Sequence, residues 1–181
     1  GATAFEQLEA GGRFQVAGEG HPQREVAVVA DVGIGQELDE ALGVVADFID
    51  LKSPYMLGHS RRCAQIAVDA ARLAGLGDED VTSLRRAALV HEIGTTVVPN
   101  SLWDKPGPLT RAELDRVEVH PMLTEQMLRR SPALGCLNAV AATHHERLDG
   151  SGYHKGLRTG ASGIAAHLLA ATDVYVGLTS D

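Results

Sequence analysis

His144-His145-Glu146-Arg147-Leu148-Asp149-Gly150-Ser151-Gly152-Tyr153-His154 sets two adjacent imidazoles at the end of an apolar run and follows them with a glycine-rich turn. In the run itself Leu137, Val140, Ala141 and His144 recur at helical spacing, so the doublet lies where a helix gives way to a ligand-gripping loop. Working outward, further imidazoles and carboxylates stand at His59, His91, Glu92, His120 and Asp173, each on or beside a segment of helical periodicity. The pattern predicts a multinuclear metal site inside a helical bundle.

Composition agrees with helices. Hydrophobic residues are 44% of the 181 but aromatics only 4%, so the core must be filled mainly by Ala, Leu and Val, which suits closely packed helices better than a sandwich. The length fits one ordinary domain with a short appendage. A net charge of -8 without a long basic run argues against a nucleic-acid surface. Cys63 and Cys136 are too few and too far from other cysteines for a disulfide framework or a thiolate site, and both read as reduced core residues of a cytoplasmic protein. No stretch approaches the ~18 to 20 continuous apolar residues of a membrane span, and Gly1-Ala2-Thr3-Ala4 lacks the regions of a signal peptide.

Residues 1–35 are punctuated by glycines around two short apolar runs and read as an N-terminal extension, a small β-hairpin or an irregular segment. Helical periodicity takes over in 36–181. Leu38, Leu42, Val45 and Ile49 form one stripe that ends at Ser53-Pro54. A second helix is expected from about Pro54 to Leu73, with Leu57, Cys63, Ile66, Ala67 and Ala70 inward. A third starts near Asp78 or Asp80 and brings Val81, Leu84, Ala88 and His91 to one face. Thr110-Arg111-Ala112-Glu113 has the capping-box pattern and opens a helix that carries Val117 and His120. The last helix, Ile164 to about Thr179, contains Asp173.

Neighbouring helical residues differ in direction by ~100°, so His91 and Glu92, or His144 and His145, suit a site with more than one metal. A carboxylate between two cations with imidazoles outside neutralises them in a helical core. Five imidazoles, two carboxylates and no thiolate favour two divalent transition metals, iron or manganese first, with zinc or nickel as alternatives. Two such metals generate a hydroxide nucleophile and polarise a phosphoryl group, which makes phosphoester hydrolysis the natural chemistry. Taken singly, each histidine has an ordinary alternative as a hydrogen-bonded core or surface residue. His91-Glu92 is not a zinc-protease motif, because Thr95 stands where its second histidine belongs. His21, His154 and His167 are read as non-ligands.

From about Gln36 to the end the chain resembles the HD-GYP family, helical metal phosphohydrolases that cut cyclic di-GMP, within the HD superfamily. The matching segments occur in order: His59-Ser60-x-Arg62, His91-Glu92-Ile93-Gly94, Lys105-Pro106-Gly107-x-Leu109-Thr110, His120-Pro121, His144-His145-Glu146 with Asp149-Gly150-Ser151-Gly152-Tyr153, and Asp173 with Leu178-Thr179-Ser180-Asp181. The resemblance implies an all-α HD-type bundle in which His59, His91, Glu92 and Asp173 are the basic ligand set and His120, His144 and His145 add a second metal. It implies that Glu92 and Asp173 serve catalysis, with Glu92 bridging, that a metal-bridging hydroxide attacks phosphorus, and that Lys105 assists as a nearby cation. Asp149, Gly150, Ser151, Gly152, Tyr153, His154 and Lys155 would line the cyclic dinucleotide.

The departures set the alternatives. Glu92 replaces the family's aspartate, Thr95 a lysine thought to polarise the substrate phosphate, and His154 the proline of the naming motif. Tyr55 stands where some members carry an extra acidic ligand, so two metals are expected rather than three. The family continues past the position of Asp181 into an Arg-Pro-Tyr-Arg-like segment, so a fragment of a longer regulator is expected. Beside the hydrolase stand a catalytically impaired metal- and nucleotide-binding module that signals to an attached or separate output domain, and an HD phosphohydrolase of another nucleotide. A homodimer is compatible with each.

Overall fold

A computed structural model describes residues 35–158 and 163–180. The expected N-terminal extension, 1–35, lies outside the described residues except for Gly35. The described part is an all-α bundle. Its elements are α1 (Gln36–Asp50), a 3-10 turn (Pro54–Met56), α2 (His59–Leu73), α3 (Asp78–Val90) and a second 3-10 turn (Ile93–Val97). There follow α4 (Asn100–Trp103), α5 (Arg111–Val117), α6 (His120–Leu128), α7 (Pro132–Gly135), α8 (Asn138–Ala141) and α9 (Ile164–Thr179). The described residues form no sheet, and Asp149 pairs with Arg158 in an isolated antiparallel bridge. No described helix is long and apolar enough to cross a membrane.

Helix α3 is central, packing on α1, α2, α8 and α9. Small residues allow the close approach: Ala64, Ala67 and Ala71 of α2 meet Leu84, Ala87 and Ala88 of α3, with Leu42, Ala46, Leu128, Leu137 and Leu169 filling around them. Burying a leucine such as Leu84 or Leu169, both wholly inaccessible, contributes about 1.5–3 kcal/mol. A smaller cluster of Val98, Leu102, Trp103 and Val117 closes the other side.

Three expected helix boundaries and one inward position differ. The helix expected from Pro54 is interrupted at Gly58, whose φ of +78° breaks the helical path, so α2 begins at His59. Met56 is buried there and Leu57 is exposed, the reverse of the inward position expected for Leu57. His120 is not on the helix opened by Thr110: that helix ends at Val117, and a new one starts at His120 with Pro121 in its first turn, where a proline costs no hydrogen bond. The run before the doublet is a four-residue helix, after which bonding tightens to three-residue spacing, with Thr143 N donating to Val140 O and Glu146 N to Thr143 O. The Thr110 capping box forms as its sequence requires.

Candidate metal centre

Each imidazole of the centre sits at the end of an element. His59 opens α2, His91 caps α3, His120 opens α6, and His144 and His145 occupy the turns after α8. In His91, His120 and His144 the ring Nδ1 lies 2.7, 2.8 and 2.7 Å from a backbone carbonyl three residues earlier, those of Ala88, Val117 and Ala141. An Nδ1–H donating to that carbonyl fixes the tautomer and aims the Nε2 lone pair inward, the way metal-bound histidines are oriented.

The structure brings all seven expected residues together, each almost wholly buried, as two abutting groups. In the first, Asp173 Oδ1 stands 2.9 Å from His59 Nε2 and 3.4 Å from His91 Nε2. In the second, Glu92 Oε1 is 3.0 Å from His144 Nε2 and 3.5 Å from His120 Nε2. Both carboxylates span the groups: Asp173 Oδ2 faces His145 Nδ1 at 3.9 Å, and Glu92 Oε1 is 3.9 Å from His91 Nε2.

The electrostatics are those of a compact charge cluster. Burial alone would raise the Glu92 carboxyl, but the His120 and His144 imidazoles outweigh it and hold it well below the usual range. For Asp173, burial opposes and His59 and His91 prevail, again leaving a carboxylate. Burial would lower His91, yet Asp173 and Glu92 lift it to about 9. Burial drives His145 well below its ordinary value, with His144 and His120 adding repulsion, so its ring is neutral.

These donors fit a cation. Asp173 Oδ2 and His145 Nδ1 are both buried and neither has a hydrogen-bond partner, a cost on the order of 1–3 kcal/mol for each such group. His120 Nε2 and His144 Nε2 approach to 3.1 Å, and Glu92 Oε1 stands 3.5 and 3.0 Å from them, so two ring nitrogens and a carboxylate oxygen crowd onto one point. A bound cation between such atoms relieves both conditions.

Beside the centre the glycine-rich loop folds back on the doublet. Tyr153 N donates to His145 O at 3.2 Å, and the Tyr153 ring stacks on the His145 ring with centroids 4.8 Å apart. Gly152 is required there, since a Cβ would meet His145 O and Arg147 N at 2.4 Å. Asp149 Oδ1 accepts from Ser151 N and Oγ, and Gly150 turns the chain at φ +80°. His154 Nε2 and Lys155 Nζ both reach Glu125 Oε2, at 2.9 and 2.8 Å. Lys105 lies outside the two groups of donors, its ammonium 2.6 Å from the capping-box carboxylate of Glu113.

Four further residues of the site do not stand out in the sequence. Glu146 is buried and accepts from Lys155 N and Leu157 N, both at 2.7 Å, fastening the loop behind the doublet. Glu125 anchors the two cations named above, and Arg129 pairs with it as well. Asp50, buried and with its carboxyl pushed up by that burial, accepts from Ser60 N and Oγ and fixes the start of α2 beside His59. Cys63 is buried as expected, but its Sγ stands 3.4 Å from His59 Nε2 within the first group, so the donor set includes sulfur after all. The spacing of four between His59 and Cys63 was the available signal. Cys136, expected in the core, is exposed on the turn after α7.

The described residues thus form an all-α bundle with two abutting acid and imidazole groups at its helix ends, each able to hold a metal ion. The HD domain family matches residues 43–181, and the chain belongs to that family. It is similar to 3'3'-cGAMP-specific phosphodiesterase 3 of Vibrio cholerae, 38% identical over 74% of this chain and 29% of the relative. It is also similar to the cyclic di-GMP phosphodiesterase response regulator RpfG of Xanthomonas campestris, 33% identical over 78% of this chain and 38% of the relative. A cyclic di-GMP phosphodiesterase of Thermotoga maritima is 31% identical over 80% of this chain and 39% of the relative. The chain thus spans about a third of the length of these relatives, and their shared activity class agrees with the HD-GYP resemblance.

Proposed function

We propose that residues 36–181 form the phosphodiesterase domain of a cyclic-dinucleotide signalling protein, with cyclic di-GMP as the foremost substrate and its linear dinucleotide as product. The observation that supports this best is the pair of abutting donor groups spanned by Asp173, with Oδ1 toward His59 and His91 and Oδ2 toward His145. His59, His91 and Asp173 hold one divalent transition ion, and Glu92, His120, His144 and His145 hold the other; iron or manganese suits this set, with zinc or nickel next. When bound, such a pair supplies the Lewis acidity that activates a water and polarises a phosphoryl group. Glu92 lies between the groups and neutralises charge on both sides. The loop from Asp149 to His154 walls the substrate pocket, with the Tyr153 ring stacked on His145 beside the centre. Lys155 is held beside that wall through Glu125, which His154 also reaches, while Lys105 pairs with Glu113 and contributes positive potential from farther off.

A second reading, a metal- and nucleotide-binding module that signals to an output domain, is favoured by Thr95. Its side chain is wholly buried, its hydroxyl donating to Glu92 O at 2.6 Å, so it offers no charge to a phosphate. The deciding experiment loads the chain with Mn²⁺ or Fe²⁺ and follows cyclic di-GMP and 3'3'-cGAMP by chromatography. Linear product that disappears in Glu92→Gln and Asp173→Asn supports the hydrolase. Two bound metals with nucleotide binding but no product supports the module.

A further inference from the structure

We propose that Cys63 is a metal ligand, so that the first ion is held by His59, His91, Asp173 and a thiolate, and the two ions occupy sites of unlike softness. This rests on the two-ion reading above and goes beyond it, because a sulfur donor is not part of the expected oxygen and nitrogen set.

Three observations carry it. His59 and Cys63 stand one turn apart on α2, and residues four apart on a helix share a face. That face meets Asp173 of α9 and His91 at the end of α3, and the four donor atoms all lie within 4.8 Å of one another. The separations have the scale of ligands around a single ion: metal bonds of about 2.3 Å to sulfur and about 2.0 Å to nitrogen place the two donors roughly 3.5 Å apart at a tetrahedral ion. Cys63 Sγ and His59 Nε2 are 3.4 Å apart, and Asp173 Oδ1 is 2.9 and 3.4 Å from the two imidazoles. Finally, the Asp173 carboxylate that Cys63 joins is buried and not saturated by the protein, since its Oδ2, turned toward His145, has no hydrogen-bond partner. A cysteine that merely filled the core would not need to face an imidazole nitrogen that already serves a carboxylate.

On binding, the thiol gives its proton to solvent and the sulfur lone pair forms the metal bond. A thiolate favours zinc or ferrous iron over manganese, whereas the Glu92, His120, His144 and His145 group has no soft donor and accepts manganese. The chain should therefore take a mixed pair when offered zinc and manganese together.

Anaerobic titration of the whole chain with Co²⁺ tests this by absorption. The expected result is a near-ultraviolet thiolate-to-cobalt charge-transfer band alongside the visible cobalt bands. Cys63→Ser should lose the first and keep the second, and Cys136→Ser, at the exposed thiol, should keep both. X-ray absorption on the zinc-loaded chain should show a sulfur neighbour at roughly 2.3 Å. Visible cobalt bands without charge transfer in the unaltered chain, or charge transfer that survives in Cys63→Ser, overturns the assignment while leaving the two-ion reading intact. Failure to bind cobalt or zinc at all overturns both.

Discussion

His120 Nε2 and His144 Nε2 meet at 3.1 Å, while each ring sets its Nδ1 against a backbone carbonyl, that of Val117 or of Ala141. Glu92 Oε1 lies 3.0 and 3.5 Å from His144 Nε2 and His120 Nε2, so the three atoms converge on a point suited to a cation.

The first prediction is therefore that the chain binds close to two equivalents of transition metal and is stabilised by them. Without metal the buried imidazoles and carboxylates are incompletely partnered, each unsatisfied group costing on the order of 1–3 kcal/mol. Chelation should lower Tm by several degrees, and His145→Ala should lose metal where His167→Ala, on α9 outside both donor groups, does not. Elemental analysis and thermal melts check this; equal metal content in the two variants contradicts the assignment.

Gly94 is the next test. A Cβ there would lie 2.0 Å from His120 O and 2.7 Å from Thr124 N, so the second 3-10 turn and α6 touch through their backbones. Gly94→Ala should cost at least the ~1–3 kcal/mol of an overpacked site and displace His120. A fall in Tm accompanied by loss of roughly half the bound metal is expected, and an unchanged melt would show the contact to be soft.

Glu146 makes a local prediction. Gln at this position keeps one acceptor and turns an amide donor toward a backbone N–H, leaving one of the Lys155 or Leu157 amides unpaired. At about 1–3 kcal/mol for that loss, and 1.4 kcal/mol per tenfold, amide exchange at these positions should accelerate roughly 10- to 100-fold. Hydrogen exchange by NMR reads it directly. Under the hydrolase reading KM rises more than kcat falls.

Acid should probe the capping box. Lys105, then Thr110, holds the Glu113 carboxyl down to about 2. Because the folded value is depressed, the associated stability is present above the ordinary value near 4.5 and is lost as pH falls from there toward about 2. Glu113→Gln should flatten that limb of the stability profile. Thr110→Ala, which removes the cap itself, should cost ~1 kcal/mol at neutral pH.

How much of this was legible in the sequence depends on the range over which each feature is determined. His91 and His144 could be found because each ends an apolar stripe at helical spacing, a purely local pattern. The capping box of Thr110 and Glu113 is local in the same way. The breaks at Gly58 and after Val117 and Ala141 were missed because apolar spacing continues across them while the backbone changes course. Glu125 and Glu146 acquire their roles only when the loop after Gly150 closes 9 to 30 residues away in sequence, which no periodicity records. Cys63 has no cysteine near it in sequence, and its relevant neighbour is an imidazole one turn back, that of His59.

The single peptide step from His145 to Glu146 couples two tasks. His145 reaches toward Asp173, takes the Tyr153 amide on its carbonyl and stacks against the Tyr153 ring, while Glu146 grips the loop from behind. Force applied to the loop is therefore delivered to a donor atom of the centre. Under the proposed function, a nucleotide resting against this loop should slow metal dissociation, and metal loss should in turn loosen the loop.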